Sequence, residues 1–112
     1  MSIQIKRVYA KPEAGDGKRI LVDRLWPRGL TRARARVDLW LKDVAPSTEL
    51  RKWFGHDPEK WVEFHRRYTI ELKKNREAFS LLKAEAAKGP VTLLYGAKDE
   101  KHNEAAVLKA AL

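Results

Sequence analysis

Cysteine is absent from the 112 residues of the chain. Disulfide bonds, thiolate zinc sites and a cysteine nucleophile are therefore excluded. A chain without cysteine suits a reducing compartment, and we expect a cytoplasmic protein. A chain of this length buries about two-thirds of the surface that its unfolded form exposes. We therefore predict one domain over residues 1–112.

Long apolar segments are also absent. The first residues, MSIQIKRVYA, lack the apolar core of a signal peptide, and no apolar run approaches the roughly 20 residues of a membrane helix. Phosphate-binding loops, dinucleotide fingerprints, zincin motifs and serine-elbow motifs do not occur. Asp99 and His102 are too few for a metal site, and no spacing joins His56 and His65 to them. The sequence thus predicts no membrane partner, no cofactor and no metal.

Basic residues, by contrast, are in excess. The chain has 24 Lys and Arg against 15 Asp and Glu, a formal net charge of +9. Residues 1–56 hold 13 of the basic and only 6 of the acidic residues. Such an excess favours attraction to polyanions or to small anions. It is equally compatible with a solvated surface that has no specific partner.

The apolar pattern predicts a small sheet. Ile3–Val8 alternates apolar and polar residues, as a half-buried strand does, whereas Arg19–Arg24 and Val91–Tyr95 contain the continuous apolar runs of buried parallel strands. Val37–Ala45 alternates as well and is a possible further strand. Helical segments separate the strands. This order predicts an α/β fold with a small, mostly parallel sheet covered by helices.

Start and stop signals locate the helices. Ser47 opens a short helix that Gly55 ends, and Asp57-Pro58-Glu59 opens a longer one. Asn75 is expected to cap a following helix, and His102–Leu112 is predicted as the last helix. Side chains at helical spacing predict one core-facing stripe on the longer helix: Trp61, Phe64, His65, Tyr68 and Leu72.

Polar residues are concentrated after two of the predicted strands, in Asp23–Gly29 and Gly96–Asn103. Ligands of open α/β sheets bind beyond the carboxyl ends of the strands. The guanidinium groups of arginines match carboxylate or phosphate, and a glycine lets backbone N–H groups approach an anion. We therefore predict a site for a small-anion or nucleotide-like ligand. Its predicted ligand-binding residues are Arg24, Trp26, Arg28, Gly29 and Asn103.

Each of these residues also has a structural interpretation. Arg24 could instead pair with Asp23, Asp43 or Asp99 and tie loops to the core, and Trp26 could plug its loop. Asp99 and His102 could act in general acid–base catalysis, since histidine titrates near neutral pH. The alternative is that Asp99 or Asn103 only caps the last helix.

Nucleic-acid binding is a second functional hypothesis. In this interpretation the basic N-terminal half contacts a phosphate backbone without catalysing a reaction. The residues proposed for this contact are Arg28, Arg32, Arg34, Arg36, Arg51 and Lys52. A third hypothesis is an interaction protein whose partner supplies an acidic surface.

Three segments resemble a known family. VDRLWPRGL, WLKDVAPSTELRKWFGHDPEKWVEFHRRY and GPVTLLYGAKDEKHNEAAVL are similar to the YeaO-like branch of the bacterial family called domain of unknown function 488. The resemblance covers Val8 to Leu112 and implies a compact α/β protein in the cytoplasm. It implies these hallmark positions: Asp23, Arg24, Pro27, Arg28, Gly29, Trp53, Phe54, His56, Asp57, Asp99, His102 and Asn103.

The sequence departs from longer members of that family at two places. Those members end the last strand with cysteine and open the last helix with Cys-His-Arg, where this chain has Tyr95 and Lys101-His102-Asn103. Thiol chemistry or Cys/His metal binding suspected for those relatives is therefore excluded here.

Overall fold

The computed structural model describes every residue from Met1 to Leu112. Four parallel strands form one sheet in the order β1-β4-β2-β3. Their bounds are Ile3–Arg7 for β1, Lys18–Leu21 for β2, Leu39–Trp40 for β3 and Val91–Tyr95 for β4. The predicted α/β fold is confirmed, and all pairs of strands are parallel.

Five α-helices connect and cover the strands. Their bounds are Arg32–Ala35 for α1, Thr48–Phe54 for α2, Trp61–Lys74 for α3, Arg76–Lys88 for α4 and Glu104–Ala111 for α5. Short 3-10 turns occupy Ala14–Asp16, Lys42–Val44 and Pro58–Lys60. The predicted break after Lys74 is present. None of the five helices combines the length and the apolar composition of a membrane span.

Three local predictions differ from the structure. The strand expected over Val37–Ala45 is reduced to two residues, because the chain turns inward to bury Val44, whose carbonyl accepts a hydrogen bond from the hydroxyl of Tyr68. Asn75 does not cap α4, because its side chain donates to the carbonyl of Asp43 instead. Helix α5 begins at Glu104 and not at His102, because the Asn103 side chain accepts from the backbone N–H of Ala106 and acts as the N-cap.

The two faces of the sheet are covered unequally. Helices α2 to α5 pack on one face and form the larger core, in which Phe64 and Tyr68 of the predicted stripe are buried. The other face is covered by the segment from Trp26 to Trp40, which packs on Leu21 and Leu94 in a smaller core. Because every strand runs the same way, the carboxyl ends of β2 and β4 meet at one edge of the sheet.

Candidate functional site

A cavity of about 180 Å³ opens at the carboxyl ends of β2 and β4. We call it the carboxyl-edge cavity. Phe54 of α2 and Phe64 of α3 supply part of its apolar wall. Its polar lining includes Asp23, Arg24, Arg51, His56, His102 and Asn103. The sheet edge predicted from the sequence therefore does carry a concavity, and it is bordered by elements from three parts of the chain.

Arg24 leaves the end of β2 and contacts no carboxylate. Its Nε donates to the carbonyl of Pro46 at 3.3 Å, and a terminal nitrogen donates to the carbonyl of Ala45 at 3.2 Å. These bonds hold the loop that precedes α2, so the expected loop tie exists, but it runs to backbone oxygens and not to Asp23, Asp43 or Asp99. The positive charge of Arg24 has no direct ion-pair partner while its side chain lines the cavity.

Asp23 joins the two strand ends that form the cavity. Its carboxylate accepts a hydrogen bond from the backbone N–H of Gly96 at 2.8 Å. A Cβ at position 96 would lie 2.9 Å from that carboxylate oxygen, so this contact needs a glycine. Burial raises the pKa of Asp23 to about 6, although the Gly96 N–H and the charge of Arg51 act in the opposite direction. The carboxyl group of Asp23 therefore changes its charge near pH 6.

Asp99 and His102 form a close pair at the rim. Nδ1 of His102 lies 2.8 Å from Asp99, whose other carboxylate oxygen accepts from the backbone N–H groups of Lys101 and His102. Hydrogen bonds from the His102 ring and from these two N–H groups lower the pKa of Asp99 to about 2. The His102 ring meets the edge of Trp61, with centroids 5.2 Å apart. His102 lines the cavity, and Asp99 orients it from behind.

Asn103 lines the cavity, yet both of its polar atoms already have partners. Its oxygen caps α5, and its nitrogen donates to the carbonyl of Asp99 at 3.0 Å. The alternative that Asn103 caps the last helix is thus seen in the structure. A ligand-binding role for Asn103 stays a prediction.

Arg51 and His56 were not among the residues predicted for an anion site. Arg51 lies on α2 and is exposed, and His56 follows the glycine that ends this helix. Gly55 and His56 both have positive φ, 54° and 59°, so the chain reverses sharply there and returns His56 to the cavity. In the sequence, the glycine that ends the short helix and the histidine that follows it were the signal that could have indicated this reversal.

Trp26, Arg28 and Gly29 do not line the carboxyl-edge cavity. The indole N–H of Trp26 donates to the carbonyl of Leu30, and its ring packs on Trp40 at 5.5 Å, as a loop plug would. The hydroxyl of Tyr9 holds the carbonyl of Arg28 on the side of the turn next to β1. The lining of the cavity thus includes Arg24 but not Arg28, and a ligand-binding role for Trp26, Arg28 and Gly29 stays a prediction.

The basic residues of the nucleic-acid hypothesis are also divided. Arg51 and Lys52 lie on α2, which covers the larger core, whereas Arg28, Arg32, Arg34 and Arg36 belong to the segment that covers the other face. No group of three or more His, Cys, Asp or Glu side chains is arranged to hold a metal ion.

A second polar cluster lies toward the amino end of β2. We call it the Asp16–Arg19 network. Arg19 is 4% exposed; it pairs with Asp16 and donates to the carbonyls of Ala35 and Arg36 at 2.9 and 3.1 Å. Asp16 is 3% exposed and also accepts from Lys6 at 3.2 Å. Burial pushes the pKa of Asp16 upward, but the hydrogen bonds to its carboxylate outweigh burial and lower it.

Comparison with known proteins identifies the class to which this fold belongs. A family model described as the inactive DUF488-N3 subclade matches residues 2–112. The chain therefore belongs to the YeaO-like branch of the family called domain of unknown function 488.

Two curated relatives match nearly the whole chain. The uncharacterized protein YeaO of Escherichia coli (strain K12) is 46% identical over 108 residues, which cover 96% of this chain and 94% of the relative. The uncharacterized protein Rv3073c of Mycobacterium tuberculosis (strain ATCC 25618 / H37Rv) is 40% identical over 110 residues, 98% of this chain and 92% of the relative. No solved structure gives a significant match.

Proposed function

We propose that the chain binds a small oxyanion, such as phosphate, sulfate or a carboxylate, in the carboxyl-edge cavity. The observation that carries the proposal is the state of Arg24. Its guanidinium is bonded only to backbone carbonyls, so its charge is not neutralised by direct contact with an acid. Arg51 adds a second guanidinium to the lining; it is in no direct ion pair, although its charge acts on Asp23. An oxyanion would complete the coordination of both groups.

The volume of the cavity limits what it can enclose. Pockets that bury drug-sized ligands measure about 300–1,000 Å³, and this cavity measures about 180 Å³. It can enclose the anionic group but not a complete nucleotide. A nucleotide-like ligand would place only a phosphate beside Arg24 and Arg51, with the remainder outside.

The proposal is one of binding and not of catalysis. No hydroxyl or thiol side chain lines the cavity, so the Asp99–His102 pair has no such nucleophile to activate there. The description of the matching subclade as inactive favours the same interpretation. The catalytic role of Asp99 and His102 stays a prediction. In the present proposal, Asp99 fixes the orientation of His102 at the rim.

Protonation of Asp23 should strengthen anion binding. Asp23 and Glu104 bring negative charge to the lining, and the first of these has a pKa of about 6. When the pH falls from 7.5 to 5.5, Asp23 becomes mostly neutral and the net charge of the lining becomes more positive. Sulfate, whose own charge is the same at both pH values, should therefore bind more tightly at pH 5.5.

A thermal-unfolding screen tests the proposal. Phosphate, sulfate and acetate are titrated at constant ionic strength, at pH 5.5 and pH 7.5, because a ligand at 100 times its dissociation constant stabilises a protein by about 2.7 kcal/mol. We expect stabilisation by an oxyanion that Arg24→Gln abolishes. Arg24→Lys should weaken it nearly as much, because lysine keeps the charge but loses the planar fork.

Arg28→Gln is the matched control, because it removes the same charge from the same loop at a position outside the cavity. Equal loss in Arg28→Gln and Arg24→Gln, or no stabilisation by any of the three anions at either pH, would refute the proposal.

A further inference from the structure

A second concavity lies on the opposite face of the sheet, between the segment after β1 and the segment around α1. We call it the basic groove. It is open, has a volume of about 560 Å³, and is lined on its polar side by Tyr9, Lys11, Arg34 and Arg36. Val8 and Leu30 contribute to its apolar floor. None of its lining residues is shared with the carboxyl-edge cavity.

The charge of the basic groove is of one sign. Lys11, Arg34 and Arg36 are exposed and form no ion pair, and no acidic residue lines the groove. The surrounding sequence continues the pattern, since residues 24–37 contain five arginines and no Asp or Glu. The carboxyl-edge cavity, by contrast, carries both arginines and acids. A ligand of the basic groove must therefore supply several negative charges.

The groove also presents an aromatic ring. Tyr9 is 42% exposed, and its position is fixed because its hydroxyl donates to the carbonyl of Arg28 at 2.8 Å. The guanidinium of Arg7 lies 5.2 Å from the centroid of this ring. A held, partly exposed ring beside cations is the arrangement on which an unstacked nucleobase packs.

The backbone that carries the arginines is anchored in the core. Helix α1 is a single turn ended by Arg36, which has a left-handed backbone with φ of 48°. The buried guanidinium of Arg19 donates to the carbonyls of Ala35 and Arg36 and holds this end of the helix. The cations are therefore presented on an ordered support, which reduces the ordering cost of binding.

From these observations we infer that the basic groove binds single-stranded nucleic acid. Lys11, Arg34 and Arg36 contact consecutive phosphates, and Tyr9 stacks on a base. The ring and the apolar floor favour a single strand over a duplex, because the bases of a duplex are already stacked on one another. They also favour nucleic acid over a peptide of acidic residues alone, whose side chains carry no aromatic ring to stack on Tyr9. This inference does not depend on the anion proposal, because the two sites share no residue.

Fluorescence anisotropy with a labelled 12-nucleotide oligothymidylate tests the inference. With three phosphates contacted, the logarithm of the association constant should fall with the logarithm of salt concentration with a slope of about −2. The double variant Arg34→Gln/Arg36→Gln should weaken binding at least about tenfold in 50 mM salt and reduce the slope by about 1.4. Tyr9→Ala should weaken binding roughly tenfold. Tyr9→Phe, which keeps the ring but loses the hydroxyl that holds it to the Arg28 carbonyl, should weaken binding less than Tyr9→Ala does.

The matched control is Lys73→Gln/Arg76→Gln, which removes two exposed charges from the helices on the other side of the sheet. It should change the affinity less than twofold, and circular dichroism should show that each variant is folded. The inference is overturned if the control weakens binding as much as the groove variant does. It is also overturned if a 12-base-pair duplex binds as tightly as the single strand, or if the oligonucleotide does not bind.

Discussion

Arg19 and Arg24 lie near opposite ends of the same strand, and their surroundings differ in one decisive respect. The guanidinium of Arg19 is buried and pairs with the Asp16 carboxylate in addition to two carbonyls. The guanidinium of Arg24 has two carbonyl partners and no carboxylate, and it faces a cavity. The comparison shows that Arg19 is held by a buried carboxylate, whereas Arg24 is held by backbone carbonyls alone. The proposal that Arg24 binds an anion rests on this difference.

Asp16 and Asp23, the acids near the two ends of β2, also differ in how many groups bind their carboxylates. The carboxylate of Asp16 receives bonds from Lys6, Arg19 and the backbone N–H of Glu13, so its pKa is lowered in spite of burial. The carboxylate of Asp23 receives one backbone bond, and burial raises its pKa to about 6. Hydrogen bonds thus stabilise the charged form of Asp16 at the amino end of β2, whereas burial favours the protonated form of Asp23 at the carboxyl end.

The largest loss of folding stability is expected from a substitution of Arg19, at the amino end of β2. Arg19→Ala leaves Asp16 buried without its main partner, and removal of one member of a buried pair costs about 3–5 kcal/mol. Arg24→Ala removes two long hydrogen bonds to carbonyls and should cost about 1 kcal/mol. Urea denaturation at pH 7 measures both free energies of unfolding. Equal losses in the two variants would show that Arg24 is as much a part of the scaffold as Arg19.

Asp23→Asn should have an intermediate effect on folding stability. The asparagine keeps a side-chain oxygen that can accept the hydrogen bond from the backbone N–H of Gly96. A carboxyl whose pKa is raised in the folded state retains a proton that the unfolded chain has lost between pH 3.8 and about 6. The wild type should therefore lose stability as the pH rises through this window, and above it the loss is complete at about 2–3 kcal/mol.

The Asp23→Asn variant lacks this titration and should gain stability relative to the wild type as the pH rises from 4 to 7. Denaturation curves at several pH values measure the difference. A constant difference between the two proteins over this range would contradict the assigned pKa. Asp16 should behave in the opposite way, because the stability that its ionised form contributes is lost only as the pH falls below 3.8.

The smallest effects concern two histidines that contact the same tryptophan. His65 is half-buried against Trp61, with centroids 5.7 Å apart, and His65→Ala should cost about 1 kcal/mol in lost packing. His102→Ala should cost less, because its pair with Asp99 is partly exposed and Asp99 keeps both backbone partners. Thermal unfolding of the two variants measures which one loses more stability. A larger loss for His102→Ala would contradict the assignment of His65 as the structural histidine and His102 as the histidine of the site.

The fold could be predicted from local patterns of apolar residues in the sequence. The residues of the carboxyl-edge cavity could be predicted only in part. The apolar runs of Arg19–Arg24 and Val91–Tyr95 predicted buried parallel strands, and these strands bring Arg24 and His102 to the same edge. The placement of Arg28 was not predictable, because the turn that carries it is held by Tyr9, a residue 19 positions away in the chain.

Arg51 and His56 escaped prediction for a similar reason. They reach the cavity through the packing of α2 on α3, and neither the angle nor the depth of that packing is encoded in residue spacing. Likewise, the sequence places Asp16 and Arg19 three residues apart but does not show that both are buried. Burial decides whether a charged residue is a scaffold element or part of a site, and burial depends on contacts between distant segments.

The most direct test of the account compares the two arginines within one sample. The Nε–H groups of Arg19 and Arg24 are assigned by NMR in the isotopically labelled protein, and phosphate is added at pH 5.5 and constant ionic strength. The account predicts a saturable change in the Arg24 signal and none in that of Arg19, whose shell is complete. Movement of both signals together, or an Arg24 signal that does not respond, would contradict the claim that the carboxyl end of β2 is an open anion site.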